Sequence, residues 1–189
     1  MATEALEQAF ASTRSVLANV KAEQLDEPTP CASWKVRDLV NHVVGGTQWF
    51  ASAVNEGGTT DDGNDGANFA AGDYMAAFDS GAKNAVAAFS APGALEKQLN
   101  LPFGTFPGSA FLGLATTDAF THGWDLAKAT GQATNLEPAL AAQLLEGAKA
   151  SIPDQFRGPD GKAPFGPVVE APAGASNADQ LAAFLGRTP

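Results

Sequence analysis

The chain has 189 residues, 44% of them hydrophobic and 17% charged, with 11 Lys+Arg against 21 Asp+Glu for a formal net charge of −10. That apolar share and a mean hydropathy of −0.09 describe a folded globular chain, and the acidic balance excludes a nucleic-acid binder, which needs a basic face, and docking on an anionic membrane surface. One cysteine excludes a disulfide framework and every Cys-rich zinc motif, and the 2 histidines, His42 and His122, confine any imidazole chemistry to two positions.

Leu6, Phe10, Thr13, Leu17 and Val20 recur at steps of four and three and predict a first helix over 3–21. Pro28 and Pro30 then impose an extended connection, because proline disfavours helix in the residue before it. A second helix is predicted over 36–54, with Leu39, His42, Val43, Gly46, Trp49, Phe50 and Ala53 as its inward stripe. Lys35 stands where a capping Ser or Thr would be favoured, and Ser33 could cap only an earlier start. Residues 55–72, rich in Gly, Asp, Asn and Thr, read as a surface loop. Within it Asp61-Asp62-Gly63-Asn64-Asp65-Gly66 invites comparison with a Ca²⁺ loop, but Gly63 and Gly72 occupy positions that need an oxygen ligand and a closing Glu, so a solvated loop is expected.

A third helix is predicted over 73–89, with Tyr74, Ala77, Phe78, Ala85 and Phe89 inward and Pro92-Gly93 ending it. Residues 98–108 read as a short hairpin-like excursion with Gly104 near its turn. A fourth helix is predicted over 109–130, with Gly131 just past its end. A fifth starts near Thr134 or Asn135, with Glu137-Pro138 in its first turn, and reaches Ser151. Residues 153–175 are Pro- and Gly-rich, and a last helix covers 177–185. The expected fold is all-α: a helical bundle in one domain over 1–189, with 153–189 as an irregular extension packed on it and ending in a short helix. No secretory signal or transmembrane run is visible, so a cytoplasmic protein is expected.

Asp118 and His122 are four residues apart on the fourth helix, about 40° apart on the helical wheel, so they share a face. Phe111, Leu114, Leu126 and Ala129 extend that face, which marks it as inward. His42 lies likewise inside the apolar stripe of the second helix. Two His and one carboxylate match the three-ligand set of a catalytic Zn²⁺ with an open position, and also suit Ni²⁺ or Fe²⁺. The competing reading is two hydrogen-bonded core histidines with a plain Asp–His contact. Asp125, three residues after His122, is a candidate to orient its ring or else a solvated charge. Trp49, seven residues after His42, is a candidate pocket residue, and Trp34 and Trp124 are expected as core or rim aromatics. Cys31 precedes the second helix by more than a turn, and His42 lies about 9–10 Å further along that helix at 1.5 Å per residue, so Cys31 is expected to be structural and buried, away from the ligands.

The segment PTPCASWKVRDLVNHVVGG over 28–46 resembles the helix-two signature of the DinB-like, mycothiol-dependent maleylpyruvate isomerase-like superfamily. DAFTHGWDLAKATG over 118–131 looks like that group's second metal-ligand helix, and QLAAFLGRTP over 180–189 is similar to the C-terminal end of an actinobacterial subfamily of metal-binding proteins. The resemblance implies a DinB-like four-helix bundle of up-down-down-up type with one divalent metal on His42, Asp118 and His122. Its isomerases usually carry Glu where this chain has Asp118, and they carry a catalytic Arg in a separate C-terminal domain. Here the arginines after the fifth helix are Arg157 and Arg187, neither of which matches that position.

The leading expectation is a thiol-dependent transferase or isomerase, in which the metal, most simply zinc, activates a small thiol toward an electrophile, in a monomer or homodimer. The resemblance names the thiol as mycothiol. The alternatives are a metal-dependent hydrolase and a non-catalytic metal- or small-ligand-binding stress protein.

Overall fold

A computed structural model describes residues 2–60, 66–159 and 162–189; the Ca²⁺-like run of the surface loop falls largely on 61–65, outside the described residues. The described residues form six helices and one two-stranded hairpin: α1 (Glu4–Leu17), α2 (Val36–Glu56), α3 (Tyr74–Ser90), β1 (Gln98–Leu101), β2 (Gly104–Pro107), α4 (Gly108–Ala129), α5 (Pro138–Ser151) and α6 (Asn177–Phe184).

Helices α1 to α4 make the bundle. α1 packs on α4 and α3, and α2 packs on α3 and α4, so four apolar faces enclose one core. The stripe predicted for α1 is buried along its length, and Val20 stays buried although the helix stops at Leu17. α6 lies against α5 and α4, and α5 also touches α1.

Two close crossings set the spacing of the bundle. Gly123 of α4 faces Thr13 of α1, where an added Cβ would collide with the Thr13 side chain. The Thr13 hydroxyl donates instead to the Ala119 carbonyl at 2.7 Å. Gly81 of α3 meets Thr47 of α2 in the same way. At both crossings a glycine admits a threonine whose hydroxyl is satisfied by a backbone carbonyl, 2.7 Å away for Thr47 on Val44.

Several boundaries differ from expectation for identifiable reasons. α2 starts at Val36 without a Ser or Thr cap because the Asp38 carboxylate accepts the Lys35 N–H at 2.9 Å. It runs on to Glu56, where Gly57 at φ 81° turns the chain. α5 starts at Pro138 rather than near Thr134: proline holds Glu137 out of helical geometry, at φ 33°. The hairpin forms as expected, pairing Leu99 with Phe106 and Leu101 with Gly104, and it leaves Phe103 exposed at its tip. Leu114, expected on the inward face of α4, is 38% exposed. The packed face of α4 opens toward solvent at this level, one turn before Asp118.

Candidate metal centre

His42 sits on α2 among fully buried neighbours, Leu39 and Val40. Asp118 and His122 sit one turn apart on α4, and the α2–α4 contact brings all three together. The His42 Nε2 lies 3.4 Å from Asp118 Oδ1, and the His122 Nε2 lies 3.5 Å from the same oxygen. The three donor atoms all fall within 4.8 Å of one another. An N–H···O hydrogen bond is commonly nearer 2.9 Å, so both contacts are long ones. A tetrahedral zinc with bonds of about 2.0–2.1 Å separates its ligand atoms by about 3.3 Å, which the two distances to Asp118 Oδ1 approach. The side chains of His42 and Asp118 are 22% and 26% exposed, and that of His122 is 11%. The centre therefore opens to solvent at His42 and Asp118 and is closed behind His122. Gly46, one turn along α2, leaves space beside Asp118: an added Cβ would stand 3.9 Å from Oδ2.

Behind His122 lies a second set of groups. The His122 Nδ1 is 3.0 Å from Asp125 Oδ2, and Asp125 has no exposure to water. Arg187 grips the same carboxylate, donating from Nε to Oδ1 at 3.2 Å and from Nη2 to Oδ2 at 3.0 Å. The Cys31 thiol donates to Asp125 Oδ2 at 3.3 Å, with Arg187 Nη2 3.7 Å from its sulfur. This corrects the sequence reading of Cys31, which is half-buried and comes to the centre rather than standing off from it. Thr29 is the reason. Its hydroxyl bonds the carbonyls of Cys31 and Trp34, each at 2.9 Å, and accepts the Cys31 N–H at 3.1 Å, which folds the proline-flanked segment back on itself. The same fold lays the Trp34 ring on both histidines, with centroids 4.7 Å from His42 and 5.6 Å from His122. Trp49 instead packs on Phe50 and Phe111 and reaches Phe103 of the hairpin tip.

The electrostatics follow from this packing. Burial opposes the charge of Asp118, but the positive charge and hydrogen bonds of His42 and His122 outweigh it and hold the carboxyl well below its ordinary value of 3.8. Burial likewise opposes an imidazolium at His122, yet Asp118, by charge and hydrogen bond, and the hydrogen bond to Asp125 raise it well above its ordinary 6.5. Asp125 is opposed by burial and rescued chiefly by the charge of Arg187, then by His122, and is held at about 2. Cys31, His122 and Asp125 form a second group with metal-ligand spacing. The Arg187 guanidinium in contact with that group repels a cation there, so the Nε2 side of His122 is the better candidate for one.

A family model of the mycothiol maleylpyruvate isomerase N-terminal domain matches residues 6–127. The chain belongs to this family. The matched interval includes Cys31, Trp34, His42, Asp118, His122 and Asp125 and stops short of Arg187. Uncharacterised proteins of Mycobacterium tuberculosis, from strains CDC 1551 / Oshkosh and H37Rv, are each 46% identical over 192 residues, covering 100% of this chain and 97% of the relative. The crystal structure of a mycothiol-dependent maleylpyruvate isomerase superposes with a TM-score of 0.60 at 14% identity, covering 76% of this chain and 66% of that one. The chain thus shares the helical fold that its motifs implied, while about a third of the isomerase chain lies outside the match. Among the described residues no helix is long and apolar enough to cross a membrane.

Proposed function

We propose that His42, Asp118 and His122 hold one divalent metal, most simply zinc, and that the centre binds a small thiol of the mycothiol type for transfer to, or isomerisation of, an electrophile. The observation that carries this reading is the spacing of the three donors, 3.4 and 3.5 Å around one carboxylate oxygen, at the partly open end of a buried network. Among the described residues no further side chain completes the set, so a position is left for an outside ligand. Membership of a family named for a mycothiol-dependent isomerase supports a thiol as that ligand.

A metal held there would supply Lewis acidity, lowering the proton affinity of a thiol bound to it. The residues of the chain do the rest. Asp118 and the two imidazoles fix the ligand position between α2 and α4. Asp125 accepts the His122 Nδ1–H, which sets the tautomer that turns the Nε2 lone pair toward the centre. The Trp34 ring packs against both imidazoles, tilted by 41° to His42 and 40° to His122. One turn before Asp118, the exposed Leu114 offers an apolar contact for the carbon skeleton of an electrophile. Hydrolysis is less well served: it needs a base beside the centre, and the nearby Asp125 carboxylate is fully buried and engaged by Arg187 and His122. The proposal extends to a protein working in the cytoplasm, where such thiols are kept reduced.

The test begins with metal content. The purified protein should carry one divalent metal per chain, and His42→Ala and His122→Ala should each lose it. The zinc-loaded protein should then consume a mycothiol-type thiol with at least one member of a panel of electrophiles, and chelation should abolish that activity. Stoichiometric metal in the alanine variants, or no metal-dependent thiol consumption across the panel, would reject the reading.

A further inference from the structure

Arg187 stands two residues from the C-terminal residue of the chain, outside the interval that carries the family match. Its guanidinium is nevertheless almost buried, with a side chain 12% exposed, and it is spent on a single partner side chain of full charge, Asp125. The segment that delivers it is pinned to adjacent residues of α4. At the start of α6 the Asp179 carboxylate accepts the Trp124 Nε1–H at 2.9 Å and the Ser176 hydroxyl at 2.8 Å. Past the end of α6, Arg187 closes on Asp125. Trp124 and Asp125 therefore hold both ends of an eight-residue helix, with Leu181 and Leu185 buried between the two ties.

We propose that Arg187 is a positioning residue for the metal centre, and that the α6–Arg187 segment is a latch whose docking is coupled to metal binding at His122. The inference rests on the metal reading above and adds a part of the chain to it. Both Asp125 oxygens accept from the Arg187 fork, and Oδ2 also faces the His122 Nδ1 at 3.0 Å, so the Nδ1 carries its N–H toward the carboxylate and leaves Nε2 as the ligand atom. The planar fork of Arg187 holds both carboxylate oxygens at once, which fixes the plane of the carboxylate and through it the rotation of the His122 ring. Without Arg187 nothing holds both carboxylate oxygens, and the imidazole would lose its orientation. Coupling of this kind is reciprocal: if the latch raises metal affinity, the metal must tighten the latch by the same factor.

The experiment uses the full chain with Co²⁺ and Zn²⁺ as probes, comparing wild type, Arg187→Gln and Arg187→Lys. Affinity is read by competition with a chromophoric chelator, ligand geometry by the Co²⁺ visible spectrum, and the latch by hydrogen exchange of the α6 amides with and without metal. Arg187→Gln should bind Co²⁺ about tenfold to a hundredfold more weakly, with an altered spectrum. Lysine, which keeps the charge but not the fork, should fall between it and wild type. Zn²⁺ should slow exchange in α6 of wild type and do so less in either variant. Should Arg187→Gln fail to fold, Arg187→Lys keeps the buried charge and carries the test alone. Unchanged affinity and spectrum in the folded variants, even with a lowered Tm, would make Arg187 a structural tie only and overturn the latch. If wild type itself bound neither ion, the metal reading would fall first and the latch with it, a result separable from the former because it needs no variant.

Discussion

Asp125 carries a negative charge with no exposure to water, and its carboxyl is held at about 2, against an ordinary 3.8, chiefly by Arg187 working against burial. The folded-state value is depressed, so the stabilisation it gives is fully present above 3.8 and is lost as pH falls toward 2. A shift of that size corresponds to about 2 kcal/mol. Asp125→Asn should cost about 3–5 kcal/mol near pH 6, since it leaves Arg187 buried without its partner charge. The gap between wild type and variant should then narrow by about 2 kcal/mol between pH 5 and pH 2, measured by urea unfolding of the metal-free proteins. A gap that stayed constant with pH would mean that Asp125 does not carry the charge assigned to it. At this scale the sequence is informative where chemistry is local. Helical spacing alone puts Asp118, His122 and Asp125 on one face of α4. Cys31, Trp34 and Arg187 are not legible in this way, because their positions depend on the Thr29 turn and on the docking of a tail 62 residues away from Asp125.

The helices themselves are legible from apolar periodicity, and their ends are not, because ends are decided by single contacts. Asp38 caps α2 from inside the helix, and Pro138 delays α5 by forcing the residue before it out of helical geometry. The crossings of helices leave a fainter sequence signal. Gly123 sits between His122 and Trp124, in a helix where glycine is intrinsically unfavourable by about 1 kcal/mol relative to alanine. What it secures is the approach of α1: a Cβ there would meet the Thr13 side chain, which has no slack because its hydroxyl is bonded to Ala119. Gly123→Ala should therefore destabilise the protein by about 1–3 kcal/mol despite the gain in helix propensity, seen as a lower Tm. Gly113→Ala on the same helix meets nothing within 4 Å and should be neutral or mildly stabilising. Equal effects at the two positions would refute the account of the α1–α4 crossing.

At the scale of the whole molecule the candidate centre brings together two helices through His42 and Asp118, which are 76 residues apart in the chain. Any metal that binds the folded state alone stabilises it by mass action, by about 2.7 kcal/mol at a hundredfold excess over Kd. For a chain of this length that is a Tm rise of roughly 5–10 °C. The size of the rise must depend on pH, and its sign follows from His122. In the metal-free protein the His122 pKa is raised well above 6.5, net of burial, by Asp118 and Asp125. The stabilisation from that proton is complete below 6.5 and is lost as pH rises through the folded-state value. The metal competes for the same imidazole, so at low pH it must first displace a proton, and its affinity should fall by up to about tenfold per pH unit. Acidification thus favours the metal-free fold and weakens the metal, while alkaline pH does the reverse. At fixed total Zn²⁺, thermal unfolding should show a small Tm shift at pH 5.5 and a large one at pH 8, and His42→Ala should show little at either pH. A shift larger at pH 5.5 than at pH 8 would place the metal on groups other than these imidazoles.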